Sequence, residues 1–234
     1  MPRPRVIVVG AGLGGLAAAA RLAALGYQVT VVERHDVPGG RAGLWESRGF
    51  SFDTGPSMVM MLECWHRLFA DLGRRIEDYL TLVKCDPNYR LTFADGSTLE
   101  MTTRLDQLFK NIEAMEPGCT PRARAFLKHT GELYRRGVPF ISRNMNRVTS
   151  MFGAGHLGLR FGLSSLGDLQ RLVRKYVRDP RLQQALTFQT LYLGVSPYKA
   201  LGVYGLLPFA ELNGGIHYPV GGMHQLARAR TARR

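Results

Sequence analysis

Val6-Ile7-Val8-Val9-Gly10-Ala11-Gly12-Leu13-Gly14-Gly15 runs into Leu16-Ala17-Ala18-Ala19-Ala20 and, further on, Val29-Thr30-Val31-Val32-Glu33. A β-branched run that breaks into glycine and continues into small residues predicts a strand, a tight turn and a helix. The second β-branched run predicts the next strand. Gly10, Gly12 and Gly15 fill the G-x-G-x-x-G pattern, and each has a mechanical role. The first makes the turn, the second lets the backbone approach a pyrophosphate, and the third allows close helix–strand packing. The N–H groups and positive dipole end of the helix then suit phosphate. Glu33, 23 positions beyond Gly10, can accept hydrogen bonds from ribose hydroxyls. The expected ligand is a dinucleotide.

The residues beyond Glu33 select FAD. They read Arg34-His35-Asp36-Val37-Pro38-Gly39-Gly40-Arg41-Ala42, then Gly49-Phe50-Ser51-Phe52-Asp53-Thr54-Gly55-Pro56-Ser57. A nicotinamide enzyme would normally need no second glycine pair with an arginine here, whereas a long FAD needs more points of contact. Gly39 and Gly40 permit close approach, and Arg41 offers a forked donor. This pattern resembles the flavoprotein group containing amine oxidases, protoporphyrinogen oxidases and carotenoid desaturases. The resemblance implies that Glu33 binds the ribose, that Arg41 sits near the pyrophosphate, and that Gly55, Pro56 and Ser57 lie near the flavin ring. Ala11 and Gly14 within the turn, and Arg34 beside Glu33, complete the candidate cofactor-binding set.

The 234 residues, 45% hydrophobic with a mean hydropathy of -0.09, suit an ordinary folded protein. Cys64, Cys85 and Cys119 lack metal-ligand spacing, so no metal is expected and reduced thiols in a cytoplasmic setting are. A strand beginning near Arg5 leaves no room for a leader, and Arg21 interrupts the longest apolar run. The net charge of +13 is uneven: residues 121–181 hold thirteen Lys/Arg against three Asp/Glu, and residues 1–120 hold thirteen against fourteen. Such a basic segment attracts anionic lipid headgroups by about 1 kcal/mol per cation near the surface; a merely solvated basic face stays open beside that reading. No zinc, RRM, KH or helix-turn-helix signature accompanies the charge, so nucleic acid is not expected as a partner.

The fold class is α/β: a Rossmann-like FAD-binding βαβ unit with an interleaved α+β substrate domain. Residues 1–78 form the FAD-binding part, 79–215 the substrate- and membrane-facing part, and 216–234 the start of the return. Helices are expected over Met58–Leu72, from Thr103 to Met115, from Thr120 to Arg136, over Leu166–Val177, and after Asp179-Pro180 and Ser196-Pro197. Strands are expected over Tyr79–Lys84, Tyr89–Phe93 and Thr98–Met101, the last two joined across Ala94-Asp95-Gly96-Ser97. The glycine-spaced apolar stretch from Met145 to Ser165 suits either a lipid-facing flap or a loop on the core.

The pieces Gly39–Arg41, Phe52–Pro56, Leu191–Pro197 and Tyr218–Gly222 narrow the resemblance to the bacterial and fungal phytoene desaturases. That resemblance implies FAD, a long isoprenoid hydrocarbon substrate, and a peripheral location on the cytoplasmic membrane face. His217 can accept a proton, but a structural role weighs more, and no catalytic residue is assigned. Members of that group continue beyond this length, so an incomplete sheet, weak FAD binding and no turnover by this chain alone are expected. An inactive or partner-requiring flavin-binding fragment, a related amine oxidase and a carotenoid isomerase remain the alternatives.

Overall fold

The glycine turn of the N-terminal stretch is built as its sequence demands in the computed structural model, which describes residues 3–141 and 167–229. Strand β1 (Arg5–Val9) pairs in parallel with β2 (Gln28–Val32), in register from Arg5 opposite Gln28 to Val9 opposite Val32. Helix α1 (Leu13–Ala24) makes the crossover and buries Leu16 and Ala19. The hairpin of β3 (Leu44–Ser47) and β4 (Phe50–Asp53) comes next. Its two-residue turn has positive φ at both Arg48 (50°) and Gly49 (82°), the combination that matches strand twist.

The chain divides into two compact units, residues 1–85 with 216–234, and residues 86–215. In the first, α2 (Leu62–Asp71) and a 3₁₀ turn (Ile76–Asp78) lead to β5 (Leu82–Lys84), which pairs antiparallel with β8 (His217–Pro219). The short helix α8 (Gln225–Arg228) then closes the unit. Val59, Phe69, Ile76, Leu80, Met223 and Leu226 form its core. In the second unit, β6 (Tyr89–Thr92) and β7 (Thr98–Met101) form an antiparallel pair. Helices α3 (Leu105–Met115), α4 (Thr120–Ile141), α5 (Leu169–Arg174), α6 (Pro180–Ala185) and α7 (Leu206–Gly214) pack around a core containing Leu108, Phe126, Leu169, Val173 and Leu182.

Several elements differ from expectation, each for a local reason. Helix α2 starts at Leu62 rather than Met58, because Val59 exchanges both backbone hydrogen bonds with His217, at 2.8 and 2.9 Å. Of Tyr79–Lys84 only Leu82–Lys84 is strand. The helix expected from Thr103 starts at Leu105, with Arg104 as its N-cap and the Arg104 N–H donating to Thr102 Oγ1. Ser196-Pro197 starts no helix, only a turn in which the Lys199 and Ala200 N–H groups donate to the Ser196 carbonyl. Asp179 does cap α6, accepting from the Arg181 N–H at 2.8 Å with Pro180 at the first helical position. Helix α5 covers Leu169–Arg174, and its apolar side (Leu169, Leu172, Val173) lies in the core, leaving Arg171 and Arg174 outward. Leu166 and the glycine-spaced stretch Met145–Ser165 lie outside the described residues.

Candidate functional site

Beneath the glycine turn, Gly10 adopts φ 99° and its N–H donates to the Val32 carbonyl. A side chain at Gly15 would put Cβ 2.0 Å from the Gly10 carbonyl oxygen, so glycine alone lets α1 sit this close to the end of β1. Gly12 is the N-cap and bridges in parallel to Gly39. Gly39 donates to the Ala11 carbonyl at 2.8 Å, and a Cβ on Gly40 would come 3.1 Å from Gly12 Cα. The second glycine pair therefore packs backbone against backbone on the first turn. Gly55 repeats the device, since its Cβ would lie 1.7 Å from the Arg41 carbonyl oxygen.

Glu33 comes directly after β2 and folds back over the turn. Its Oε2 accepts the Ala11 N–H at 2.6 Å, and Oε1 accepts the N–H groups of Arg34 and His35 at 2.9 and 3.1 Å. These bonds, Ala11 first and His35 next, hold its carboxyl below the usual carboxylate range. With two lone pairs per oxygen, Oε2 keeps one for a hydroxyl donor. The carboxylate stands beside a cavity of about 600 Å³ lined by Gly10, Glu33, Arg34, His35, Gly40 and Arg41, between the ends of β1 and β2. That volume lies within the range of roughly 300–1,000 Å³ for ligand pockets.

The sequence-derived residues fall into two sets. Gly10, Glu33, Arg34, Gly40 and Arg41 line the cavity; Ala11, Gly12 and Gly15 build the turn beneath it; Gly14 is exposed, with open space where a side chain would be. Gly55 touches the Arg41 backbone, but Pro56 and Ser57 are exposed and do not line that cavity. Sequence reasoning missed Asp53, Tyr218 and His224, which meet across more than 160 positions. Asp53 accepts from the Tyr218 hydroxyl at 3.0 Å and from the Met223 and His224 N–H groups at 2.8 and 3.1 Å. Burial pushes its carboxyl up, but these donors outweigh it and leave it lowered. His217 is buried, its Nδ1 has no hydrogen-bond partner among the described residues, and burial first, then the Lys84 and His66 charges, lowers its pKa.

A second polar cluster lies inside the other unit. Glu211, fully buried on α7, accepts from Tyr89 Oη at 2.8 Å, Gln189 Nε2 at 3.0 Å and Tyr192 Oη at 2.9 Å. Burial raises its pKa against those three donors. The signal was present as the single carboxylate in the apolar run Leu206–Leu212. Among the described residues no group of three or more His, Cys, Asp or Glu is placed to hold a metal, and the three cysteines are free thiols.

The fold is the βαβ type of FAD amine oxidases, and the chain belongs to the flavin containing amine oxidoreductase family, whose model matches residues 13–234. It is 44% identical over 226 residues to a zeta-carotene-forming phytoene desaturase of Myxococcus xanthus, covering 96% of this chain and 44% of the relative. It is 40% identical to a phytoene dehydrogenase of Streptomyces griseus (97% and 45% covered) and 39% identical to a phytoene desaturase of Fusarium fujikuroi (96% and 40%). The chain thus spans under half the length of these relatives. Among solved structures, a Pyrococcus furiosus protein aligns with TM-score 0.62 at 17% identity, over 97% of this chain and 48% of that one. Cyclohexylamine oxidase from Brevibacterium oxydans aligns with TM-score 0.59 at 19% identity, over 98% and 49%. These likenesses show the fold.

The family is one of FAD-dependent oxidoreductases, and the cradle suits that cofactor. The first helical bond of α1 runs from Leu16 to Gly12, so the Gly14 and Gly15 N–H groups have no acceptor within the helix. A phosphate is the natural acceptor for such groups. No hydrogen bond or ion pair holds the Arg41 guanidinium among the described residues, and Gly55 lies close against the Arg41 carbonyl.

Proposed function

We propose that this chain is part of an FAD-dependent carotenoid desaturase of the phytoene type, acting on a long isoprenoid hydrocarbon. The observation that carries the reading is the 44% identity to the Myxococcus desaturase across 96% of the chain, joined to a cavity whose glycines, carboxylate and arginine suit a dinucleotide. Glu33 would take the ribose, the turn at Gly10–Gly15 and Arg41 the pyrophosphate, and Gly55, Pro56 and Ser57 the neighbourhood of the flavin. When bound, FAD supplies hydride acceptance, and the protein's own part is to orient the substrate and exclude water. The substrate part, expected from residue 79, is read as the compact unit 86–215, since 79–85 carry β5 and belong with the first unit, and 216–234 are read as the return toward the cofactor part. A hydrocarbon offers nothing to hydrogen-bond, so its site needs apolar walls rather than paired carboxylates.

Peripheral attachment to the anionic, cytoplasmic face of a membrane fits the charge of residues 121–181. Among the described residues no helix is long and apolar enough to cross a membrane. Because the apolar side of α5 is buried, attachment would act through its cations and those beside it, Arg171, Arg174, Lys175 and Arg178. Reversing Arg171, Lys175 and Arg178 to glutamate should abolish flotation with vesicles rich in anionic lipid. Retained flotation at low salt would rule this face out.

The substrate is tested by fusing residues 1–227 to the remaining part of the Myxococcus relative and supplying phytoene. The expected product carries additional conjugated double bonds, read by absorption. A flavin-loaded chimera that oxidises amines and leaves phytoene intact would replace this reading with the amine-oxidase one.

A further inference from the structure

The Gly39–Gly43 loop carries Arg41 to the cavity, and its own bonds to the glycine turn are few. What holds it from outside is the return segment. His224 is buried, and its Nδ1–H donates to the Ala42 carbonyl at 2.9 Å. Asp53 in turn fixes His224 by accepting its N–H, along with the Met223 N–H and the Tyr218 hydroxyl. Two glycines show how close this fit is. A Cβ on Gly222 (φ 99°) would come 3.1 Å from the Asp53 carboxyl, and one on Gly39 (φ 126°) would come 3.2 Å from His224 Nδ1. From the other side the residue after Asp53 holds the same loop, the Thr54 N–H donating to the Gly43 carbonyl at 3.1 Å.

We infer that Asp53 is a positioning residue for the cofactor site: it fixes residues 218–224 and, through His224 on Ala42, sets the loop that presents Arg41 to a pyrophosphate. The inference rests on the proposed reading of the cavity as the place for the ADP part of a dinucleotide. Asp53 does not line the cavity, so its influence is confined to what the loop touches. Pyrophosphate recognition should depend on it, and ribose recognition by Glu33 should not.

The test titrates the 234-residue chain with ADP and, separately, with adenosine, observing ligand signals by saturation-transfer NMR. Asp53→Asn and His224→Leu should each weaken ADP about tenfold, as expected for loss of a charge-assisted contact, and leave adenosine affinity unchanged. His224→Asn, which can still donate near the Nδ1 position, should restore ADP binding. Arg41→Ala should weaken ADP to the same extent, and Asp53→Asn combined with Arg41→Ala should be no worse than Arg41→Ala alone. Circular dichroism and the unfolding midpoint of each variant separate misfolding from misplacement; if Asp53→Asn fails to fold, the His224→Leu and His224→Asn pair decides.

Equal loss of ADP and adenosine would overturn the positioning role, as would a well-folded Asp53→Asn that binds ADP like wild type. Wild-type protein that binds neither ligand would remove the cofactor reading itself, and the inference with it.

Discussion

Gly15 carries the sharpest steric demand at the site among the named glycines of the turn. A methyl there would overlap the Gly10 carbonyl, so α1 must move away from β1; Gly15→Ala should lower stability by about 1–3 kcal/mol, the usual cost of overpacking. Gly14→Ala, facing open space, should be neutral. Urea denaturation of the two variants distinguishes them, and equal effects would mean that the turn is looser than its geometry. Glu211 makes a second prediction at this scale. Its folded pKa is raised, so the native state holds a proton that the unfolded chain has already released. Stability is then greatest below the unfolded value near 4.5 and falls as pH rises through the native pKa. Replacing Glu211 by Gln should flatten that decline as pH rises above the unfolded value, with turning of the Gln189 amide giving the new NH₂ an acceptor in its bare Oε1. An unchanged slope would assign the decline to other groups.

At the scale of elements, local signals were legible and long-range pairings were not. The glycine turn of the βαβ start, the turn between β6 and β7, and the Asp179-Pro180 start of α6 each depend on residues within a few positions of one another, and the sequence shows them directly. Helix α2 starts late because Val59 pairs with His217, a partner far along the chain. The Asp53–His224 tie was hidden for the same reason, since neither side chain is unusual where it stands. Helix α5 shows a different limit: its alternation of leucines and arginines fits a membrane-surface helix and a core-facing helix equally well, and burial decides. Leu169→Ala should therefore destabilise the second unit by about 2–5 kcal/mol without changing vesicle binding, whereas the charge reversals should do the opposite. Thermal melts and flotation together check the pair.

At the scale of the whole molecule, the nucleotide sheet is open among the described residues. Parallel strands are ordinarily covered on both faces, yet β1 and β2 pair there only with each other, with Val9 86% and Ile7 68% exposed. Such a surface should bind a dye such as ANS and associate with itself at high concentration. Replacing Ile7 and Val9 by threonine should reduce both while stability stays within about 1 kcal/mol of its original value, as expected for exposed positions; unchanged light scattering would place the sticky surface elsewhere. The proposed seat of the ADP part, over the glycine turn, Glu33 and Arg41, makes ADP the fair probe of this chain. The most direct measurement is a titration of the 234-residue chain with ADP, wild type beside Glu33→Gln. Saturable binding by the wild type and at least about a tenfold loss in the variant are expected, the charged acceptor being gone. Equal affinity in the two proteins, or none in either, would contradict the placement of the ribose on Glu33.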